Sequence, residues 1–195
     1  GFSYGDVLGA GGGWAKAVLF DDKLRRAFEN FFLKQLPVLG VCNGCQMLSQ
    51  LREIIPGAEN WPSFERNNSG QFESRTVMVK VSGNSSPWLE GLSGCVVPVA
   101  VAHGEGRVEP KDLTGVVGID SLVAMRYVGP SDEPTEEYPY NPNGSLGGIA
   151  AITAASGSIL GMMPHPERTF RSSQLIVSDP DWKGYSPWMQ FFRNA

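Results

Sequence analysis

Cys42 is the residue whose surroundings most clearly predict chemistry. It lies within residues 40–44 (GVCNG), between a short apolar run at 36–41 and a stretch in which apolar residues recur at helical spacing. A nucleophile on a sharp strand-to-helix turn needs small residues two positions before and after it, because strand and helix approach closely there. The pattern therefore predicts a nucleophile elbow that exposes the Cys42 thiol at the carboxyl end of a buried strand.

The helix predicted after Cys42 favours an activated thiol. Backbone N–H groups at a helix N-terminus have no intrahelical partner, and the helix dipole is positive there. Both features lower the pKa of a thiol and stabilise a developing oxyanion, for which the backbone N–H of Asn43 is the predicted donor. The alternative is an inert, buried cysteine at an ordinary strand-to-helix turn.

A second cysteine, Cys45, makes a C-x-x-C spacing with Cys42. At a helix start this spacing is also typical of a thioredoxin-like redox pair. Such pairs do not usually lie inside a G-x-C-x-G frame, and the chain offers no further two ligands at the spacing of a zinc site. We therefore predict that Cys45, like Cys95, is a packing residue.

A nucleophilic thiol needs a base, and the chain has two histidines. Each begins a His-x-Glu segment after an apolar strand, with His103 two residues before Glu105 and His165 two residues before Glu167. In an extended backbone, residues i and i+2 point the same way, so either carboxylate could orient its own imidazole. Spacing alone leaves the two pairs equivalent.

Local rigidity favours His165 as the base. Prolines flank His165 on both sides, whereas the neighbours of His103 include glycines, and proline restricts the backbone. Glu105 and Arg107 would lie on the same side as His103, which suits a loop that closely approaches a ligand or partner. A structural, hydrogen-bonding histidine is an equally good interpretation of His103.

A glycine-rich segment at residues 9–13 (GAGGG) invites a phosphate-loop interpretation. The details exclude it, because Trp14 stands where the dinucleotide fingerprint needs glycine and no Gly-Lys-Ser/Thr follows. We expect a close-packed or strained turn here.

The elements that must position these residues follow from periodicity. Asp21 and Asp22 can cap a helix that continues to about residue 34. The run 36–41 predicts a buried parallel strand, and helical spacing resumes until Pro56. Strands are then predicted at 75–81, 95–102, 122–128, 148–153 and 159–163. The segment 129–148 shows no sequence pattern that predicts how it would pack by itself, and it is a candidate functional loop.

Bulk composition narrows the class of function. The chain has 195 residues, of which 42% are hydrophobic and 18% charged, which is the size and composition of one α/β domain. A net charge of -4 argues against nucleic acid or an acidic membrane as partner, and no apolar run reaches the roughly 18 residues of a bilayer span. We expect a cytoplasmic protein with reduced cysteines, no metal and a small polar substrate.

Four segments together are similar to one family. Residues 40–46 (GVCNGCQ), 103–107 (HGEGR), 141–145 (NPNGS) and 162–168 (MMPHPER) resemble the class I (triad) glutamine amidotransferases. The likeness is greatest to the C-terminal glutaminase domains of large, fused phosphoribosylformylglycinamidine synthases. Three further segments extend it along the chain: 1–6 (GFSYGD), 61–67 (WPSFERN) and 187–195 (PWMQFFRNA).

The resemblance implies a fold and a set of roles. The fold would be the flavodoxin-like class I glutaminase fold, with a mostly parallel central sheet and an added antiparallel part. Cys42 would attack the side-chain amide of L-glutamine to form a thioester, His165 would shuttle protons, and Glu167 would orient His165. Residues expected to hold glutamine and its oxyanion are Gly1, Phe2, Asn43 and Gln46.

The resemblance also implies partners. Ammonia would pass to a formylglycinamide ribonucleotide (FGAR) synthetase domain of the same longer polypeptide. That domain would use ATP and Mg²⁺ to convert FGAR to formylglycinamidine ribonucleotide in purine biosynthesis. No cofactor is expected in this chain itself. Such domains normally begin with one or two βα units before the GFSYGD segment, so we expect residues 1–195 to be a single glutaminase domain that is incomplete at its N-terminus.

Three alternatives stay open from the sequence. The first is another triad amidotransferase or a γ-glutamyl hydrolase, although the NPNGS and WPSFERN segments argue against it. The second is a non-catalytic module that docks on a synthetase. The third is a thiol-redox protein, which would require Cys45 to be as reactive as Cys42.

Overall fold

The computed structural model describes residues 9–83, 86–109, 119–154, 156–176 and 179–195. Gly1 and Phe2, two of the predicted substrate contacts, lie outside these ranges. Within these ranges, no helix has the length and apolar character that crossing a membrane requires.

Helices flank the candidate nucleophile on both sides in the chain. The α-helices of the described residues are α1 (Ala10–Leu19), α2 (Asp22–Phe32), α3 (Asn43–Gln50) and α4 (Trp188–Arg193). The carboxylate of Asp21 accepts hydrogen bonds from the backbone N–H groups of Lys23 (2.9 Å) and Leu24 (3.0 Å). These bonds satisfy donors that a first helical turn leaves without intrahelical partners. The predicted capped helix is confirmed.

Residues 10–13 of the glycine-rich segment lie in α1 and Gly9 is its N-cap with φ 77°, so the turn predicted for the whole segment is wrong. Gly11 approaches α3 so closely that a Cβ atom on it would lie 2.5 Å from the backbone oxygen of Asn43 and 2.7 Å from Cβ of Gln46. Glycine is a poor helix former because it loses much backbone entropy, but packing between helices commonly outweighs propensity. The expected close packing is confirmed, and it is what holds α1 against the helix that follows Cys42.

The strands form one large sheet and one small ribbon. They are β1 (Val38–Val41), β2 (Ser63–Glu65), β3 (Glu73–Val81), β4 (Val96–His103), β5 (Arg107–Glu109), β6 (Val123–Tyr127), β7 (Ile149–Thr153) and β8 (Ile159–Met162). Six of them make a mixed sheet in the order β1-β8-β7-β6-β3-β4, and β2 pairs with β5. Among the described residues β1 and β8 run parallel, and the other pairings are antiparallel.

This architecture confirms the predicted α/β, flavodoxin-like fold class with parallel and antiparallel parts. The expectation that the central sheet is mostly parallel is wrong for the described residues, because only β1 and β8 pair in parallel. Hydrophobic periodicity located the six strands of the large sheet close to their observed bounds. It missed β2 and β5, which are three residues long each, because so short a segment shows no recognisable alternation. It also missed α4.

Curling of the large sheet brings its two ends together at the candidate site. β4 is last in the strand order, yet the backbone N–H of His165, just after β8, donates to the backbone oxygen of Ala100 in β4 at 2.7 Å. The segments after β1, β8 and β4 therefore meet in one region. Buried aromatic side chains support this arrangement from two apolar clusters, with Trp61 in one and Trp188 in the other.

Candidate active site

Cys42 lies at the turn between β1 and α3. Its backbone has φ 54° and ψ -112°, a conformation that residues with a Cβ atom rarely adopt. The backbone N–H of Cys42 donates to the oxygen of Met162 at 2.9 Å, so pairing with β8 fixes the place where β1 ends. Strained backbone of this kind is typical of functional sites, and the geometry is that of a nucleophile elbow.

The two glycines of the elbow differ in their surroundings. A Cβ atom on Gly40 would lie 2.5 Å from Cδ1 of Leu48 and 2.7 Å from the backbone oxygen of Gly44. No described atom lies within 4 Å of a Cβ placed on Gly44. The predicted steric need for glycine therefore applies to Gly40, where strand and helix touch.

The thiol of Cys42 has close neighbours on two sides. Its Sγ atom lies 3.9 Å from the backbone oxygen of Ala102, near the end of β4. Asn43, the predicted oxyanion donor, is the next residue and begins α3, and both side chains are buried. The thiol is thus set between the start of a helix and the end of an edge strand.

Cys45 differs from Cys42 in its environment. It is fully buried, and a Cβ atom on Gly161 would lie 3.0 Å from its sulfur. Burial, and to a smaller extent the nearby Cys42, raises the pKa of the Cys45 thiol well above its usual value. A redox partner must form a thiolate, so this environment supports the packing role. Cys95 is half-buried against an apolar cluster.

His165 and Glu167 form a hydrogen-bonded pair. Nδ1 of His165 lies 2.6 Å from Oε1 of Glu167. A carboxylate only accepts, so Nδ1 carries a proton, and Nε2 is the ring nitrogen left to accept a proton when the ring is neutral. His165 is fully buried, and Nε2 has no hydrogen-bond partner among the described residues.

The geometric reason for this pair differs from the predicted one. Residues 165–167 are not an extended strand end, because a 3₁₀ turn at Pro166–Arg168 begins directly after His165. The turn brings the carboxylate back toward its own imidazole. Proline suits the first position of such a turn, since its φ is already fixed near the required value.

The charge of Glu167 is set by opposing effects. Partial burial alone would raise the pKa of Glu167, but the hydrogen bond and charge of His165, assisted by Arg168, lower it below its usual value. The carboxylate is 45% exposed. Glu167 is therefore ionised at neutral pH and able to stabilise a positive charge on His165.

Among the described residues, His103 has no contact with a carboxylate of the kind that His165 makes with Glu167. Its Nε2 lies 3.1 Å from Nδ2 of Asn143. The other amide atom, Oδ1 of Asn143, accepts from the backbone N–H of Ser145 at 3.0 Å. A backbone N–H can only donate, so the amide orientation is fixed and its NH₂ group faces the imidazole. Nε2 of His103 is consequently an acceptor, and the proton lies on Nδ1.

The electrostatic surroundings keep His103 neutral. Burial, followed by the nearby His165, lowers the pKa of His103 to about 3, against a smaller opposing effect from the backbone of Met163. An imidazole with so low a pKa is a weak base. Of the two interpretations of His103 from sequence, the geometry supports the structural, hydrogen-bonding one.

Glu105 and Arg107 do not gather around His103 as the sequence suggested. Oε2 of Glu105 accepts from the backbone N–H of Gly9 at 2.8 Å, and Nε2 of Gln46 donates to the backbone oxygen of Glu105 at 2.8 Å. Nε of Arg107 donates to the backbone oxygen of Arg66 at 3.1 Å. Each side chain of this segment therefore tethers a different loop.

Gln46, a predicted substrate contact, lies one helical turn after Cys42. It is buried, and its Oε1 has no hydrogen-bond partner among the described residues. A small cavity of about 70 Å³ adjoins it, lined by Gly9, Gly12, Gln46, Ser49, Phe64 and Glu105. Nowhere in the described ranges do three or more histidine, cysteine or acidic side chains group as metal ligands would.

Sequence reasoning missed a buried polar network next to the site. The segment 129–148 was predicted to be a loop without packing of its own. That expectation is wrong, because its side chains Asn141, Asn143 and Ser145 are all buried. Asn67, from the loop before β3, joins them by donating to the backbone oxygen of His103 at 2.8 Å. The only sequence signal was the likeness of the NPNGS and WPSFERN segments to a family, because burial of an asparagine has no local pattern.

Comparison with known proteins agrees with this geometry. Residues 1–195 match the family model described as CobB/CobQ-like glutamine amidotransferase domain. A similar solved structure is that titled "Structure of PurLQS from Thermotoga maritima", with a TM-score of 0.68 and 27% sequence identity. The match covers 100% of this chain and 74% of that chain.

Proposed function

This chain belongs to the CobB/CobQ-like glutamine amidotransferase domain family, and from that premise we propose that it hydrolyses L-glutamine to glutamate and ammonia through a thioester on Cys42. The observation that carries the proposal is that a strained cysteine elbow and a buried His165–Glu167 pair both contact the end of β4, while Nε2 of His165 has no hydrogen-bond partner among the described residues.

Acylation begins with proton transfer. Nε2 of His165 takes the proton of the Cys42 thiol, and the thiolate attacks the side-chain carbonyl carbon of glutamine. The negative charge that develops on the carbonyl oxygen faces the start of α3, where the backbone N–H of Asn43 is the assigned donor. Collapse of the tetrahedral intermediate breaks the C–N bond, and the imidazolium of His165 returns its proton to the departing ammonia.

Deacylation repeats the cycle with water. His165 removes a proton from water, hydroxide attacks the thioester carbonyl, and the thiolate of Cys42 leaves and regains a proton. Glu167 holds the Nδ1–H of His165 in one tautomer and stabilises the imidazolium in both steps. No electron transfer or external reductant is required.

Glutamine binding is assigned to the surroundings of the elbow. Gln46 offers a buried amide oxygen with no described partner, which can accept a hydrogen bond from an N–H group of the substrate. Asn43 contributes through its backbone. Gly1 and Phe2 stay predicted contacts, since they lie outside the described residues.

The wider role is the glutaminase part of a phosphoribosylformylglycinamidine synthase in the cytoplasm. Likeness to the structure titled PurLQS supports this proposal. Ammonia released at Cys42 would be delivered to a synthetase domain that uses ATP and Mg²⁺. A γ-glutamyl hydrolase or a docking module is less well supported, because neither accounts for both the His165–Glu167 pair and the family match.

Labelling with a diazo-ketone analogue of glutamine tests the proposal. We expect a covalent adduct on Cys42, mapped by mass spectrometry, in the wild type and in the matched control C45A. The adduct should be lost in H165A, because the thiolate is no longer formed. Equal labelling of Cys45, or a reversible Cys42–Cys45 disulfide, would support the redox interpretation instead and contradict the glutaminase.

A further inference from the structure

We infer that His103 is a positioning residue for the reaction at Cys42: together with Asn143 it fixes the end of β4, whose backbone contacts both Cys42 and His165. This rests on the proposed function, because it presupposes that the thiol reacts with glutamine. Neither the likeness to the family nor the spacing of the His-x-Glu segments gives His103 this role.

The end of β4 touches both reacting residues through backbone oxygens. Ala100 accepts a hydrogen bond from the backbone N–H of His165 at 2.7 Å, and the oxygen of Ala102 lies 3.9 Å from Sγ of Cys42. Residues two apart in a strand present their carbonyl groups on the same edge. A shift of this edge would therefore change the separation and alignment of thiol and imidazole.

His103 is the last residue of β4 and is held at both its backbone and its side chain. Its backbone oxygen accepts from Nδ2 of Asn67 at 2.8 Å, and its Nε2 accepts from Nδ2 of Asn143 at 3.1 Å. Both asparagines are buried. Nδ1 of His103 has no hydrogen-bond partner among the described residues, so its position depends on these two bonds. Buried hydrogen bonds restrain the groups that they join, and the two bonds therefore define where β4 ends.

The imidazole of His103 is packed tightly against Gly106. A Cβ atom on Gly106 would lie 2.3 Å from Nε2 of His103. The backbone N–H of Gly106 donates to Oδ1 of Asn67 at 3.0 Å, and its oxygen accepts from Nδ2 of Asn143 at 2.9 Å. The imidazole thus lies directly on a backbone segment that the same two asparagines hold.

The charge of His103 matters as well as its position. It lies near His165, which must become positive during catalysis, and a cation beside it would oppose that step. Among the described residues, further titratable groups near it are Cys42, whose sulfur is 3.9 Å from the backbone oxygen of Ala102, Tyr127, whose hydroxyl is 3.3 Å from Nδ2 of Asn143, and Glu73, its register partner on β3. Glu73 is paired with Arg75. The amide donor of Asn143 faces Nε2 and so favours the uncharged ring.

Steady-state kinetics of ammonia release by the whole chain test the role of His103. In H103N the shorter amide cannot reach Asn143, and we expect kcat to fall about 10–100-fold, in line with the cost of roughly 1 Å of misplacement. KM for glutamine should change less than about threefold, because the substrate contacts are not altered. In H103Q an amide oxygen can replace Nε2 as acceptor, and kcat should recover to within about fivefold of the wild type.

A double-mutant cycle identifies the contact that is responsible. N143L should lower kcat as H103N does, and the double variant H103N/N143L should be no slower than either single variant, because one shared contact is lost only once. Unchanged kcat in H103N, equal losses in H103N and H103Q, or multiplying losses in the double variant would each overturn the inference. H103S and N143S, which lack the ring acceptor and the amide donor, replace H103N and N143L in the same cycle if either does not fold, and their losses should likewise not multiply.

A remote control separates positioning from general stability. Trp88→Phe removes a buried hydrogen bond of 2.8 Å to the backbone oxygen of Ser158, and it should lower the melting temperature without lowering kcat. A matching loss of kcat in Trp88→Phe would show that the effect is one of stability alone. Labelling of wild-type Cys42 by the glutamine analogue is measured in parallel: no labelling means that the proposed function fails, whereas labelling with unchanged kcat in H103N contradicts only the role of His103.

Discussion

Residues 103–105 and 165–167 share the pattern His-x-Glu after an apolar strand, yet they have opposite environments. In the second segment the imidazole binds its own carboxylate at 2.6 Å and keeps Nε2 unpartnered among the described residues. In the first, Nε2 is bound to Asn143, and Glu105 binds Gly9 instead. One histidine is arranged to exchange a proton, and the other is arranged to stay fixed.

The intervening residue and the neighbouring loops produce this difference. Pro166 begins a 3₁₀ turn that folds Glu167 back onto His165. Gly104 does not reverse the chain in this way, and its backbone oxygen accepts from the backbone N–H of Asn67. Local backbone geometry thus determines whether the glutamate contacts the histidine two residues before it. Where it does not, tertiary contacts determine which residue binds the imidazole.

The largest expected difference between the segments is in turnover. E167Q removes the charge that stabilises the His165 imidazolium, and we expect kcat to fall about 100-fold, less than at a fully buried triad carboxylate because Glu167 is 45% exposed. In E105Q an amide oxygen can still accept from Gly9, so kcat should stay within about fivefold. Ammonia release measures both, and equal losses would contradict the distinction.

The pH dependence of stability sharpens the same contrast. His103 has a folded-state pKa of about 3 against an ordinary 6.5, so its contribution to stability is complete above pH 6.5 and is lost as the pH falls toward 3. Glu167 also has a lowered pKa, but its contribution is lost only below its ordinary value of 4.5. The difference between the wild type and a variant without the His103 imidazole therefore reports on His103 in the window between pH 6.5 and 4.5.

Denaturant unfolding across that window gives the measurement. The free energy of unfolding of the wild type should fall by up to about 1.4 kcal/mol per pH unit through this one group. The slope should be smaller by that amount in H103Q, which lacks the titrating ring. Identical slopes in the wild type and H103Q would show that His103 is not held neutral by the fold.

Features encoded by neighbouring residues were predictable from the sequence. The Gly40–Cys42 elbow, the cap at Asp21 and the strands of the large sheet depend on local sterics and on periodicity. α1 was not predictable, because three of its residues are glycines and its stability comes from packing on α3. Propensity is a weak guide where tertiary contact decides.

The choice between the two histidines was not predictable from spacing. The partner of His103 is Asn143, 40 residues further along the chain, and nothing in a His-Gly-Glu segment encodes that contact. Rigidity favoured His165, the residue that we propose as the base, but the extended geometry assumed for both segments does not exist at residues 165–167. Family likeness, and not periodicity, separated the two.

The most direct test is the pH dependence of alkylation of Cys42 by iodoacetamide, followed by peptide mass spectrometry in the wild type, H165A and H103Q. If His165 is the base, Cys42 of the wild type and of H103Q should react at and below neutral pH as a thiolate, whereas H165A should react only as the pH approaches that of an ordinary thiol, about 8.5. Retained low-pH reactivity in H165A, with its loss in H103Q, would contradict the assignment of His165.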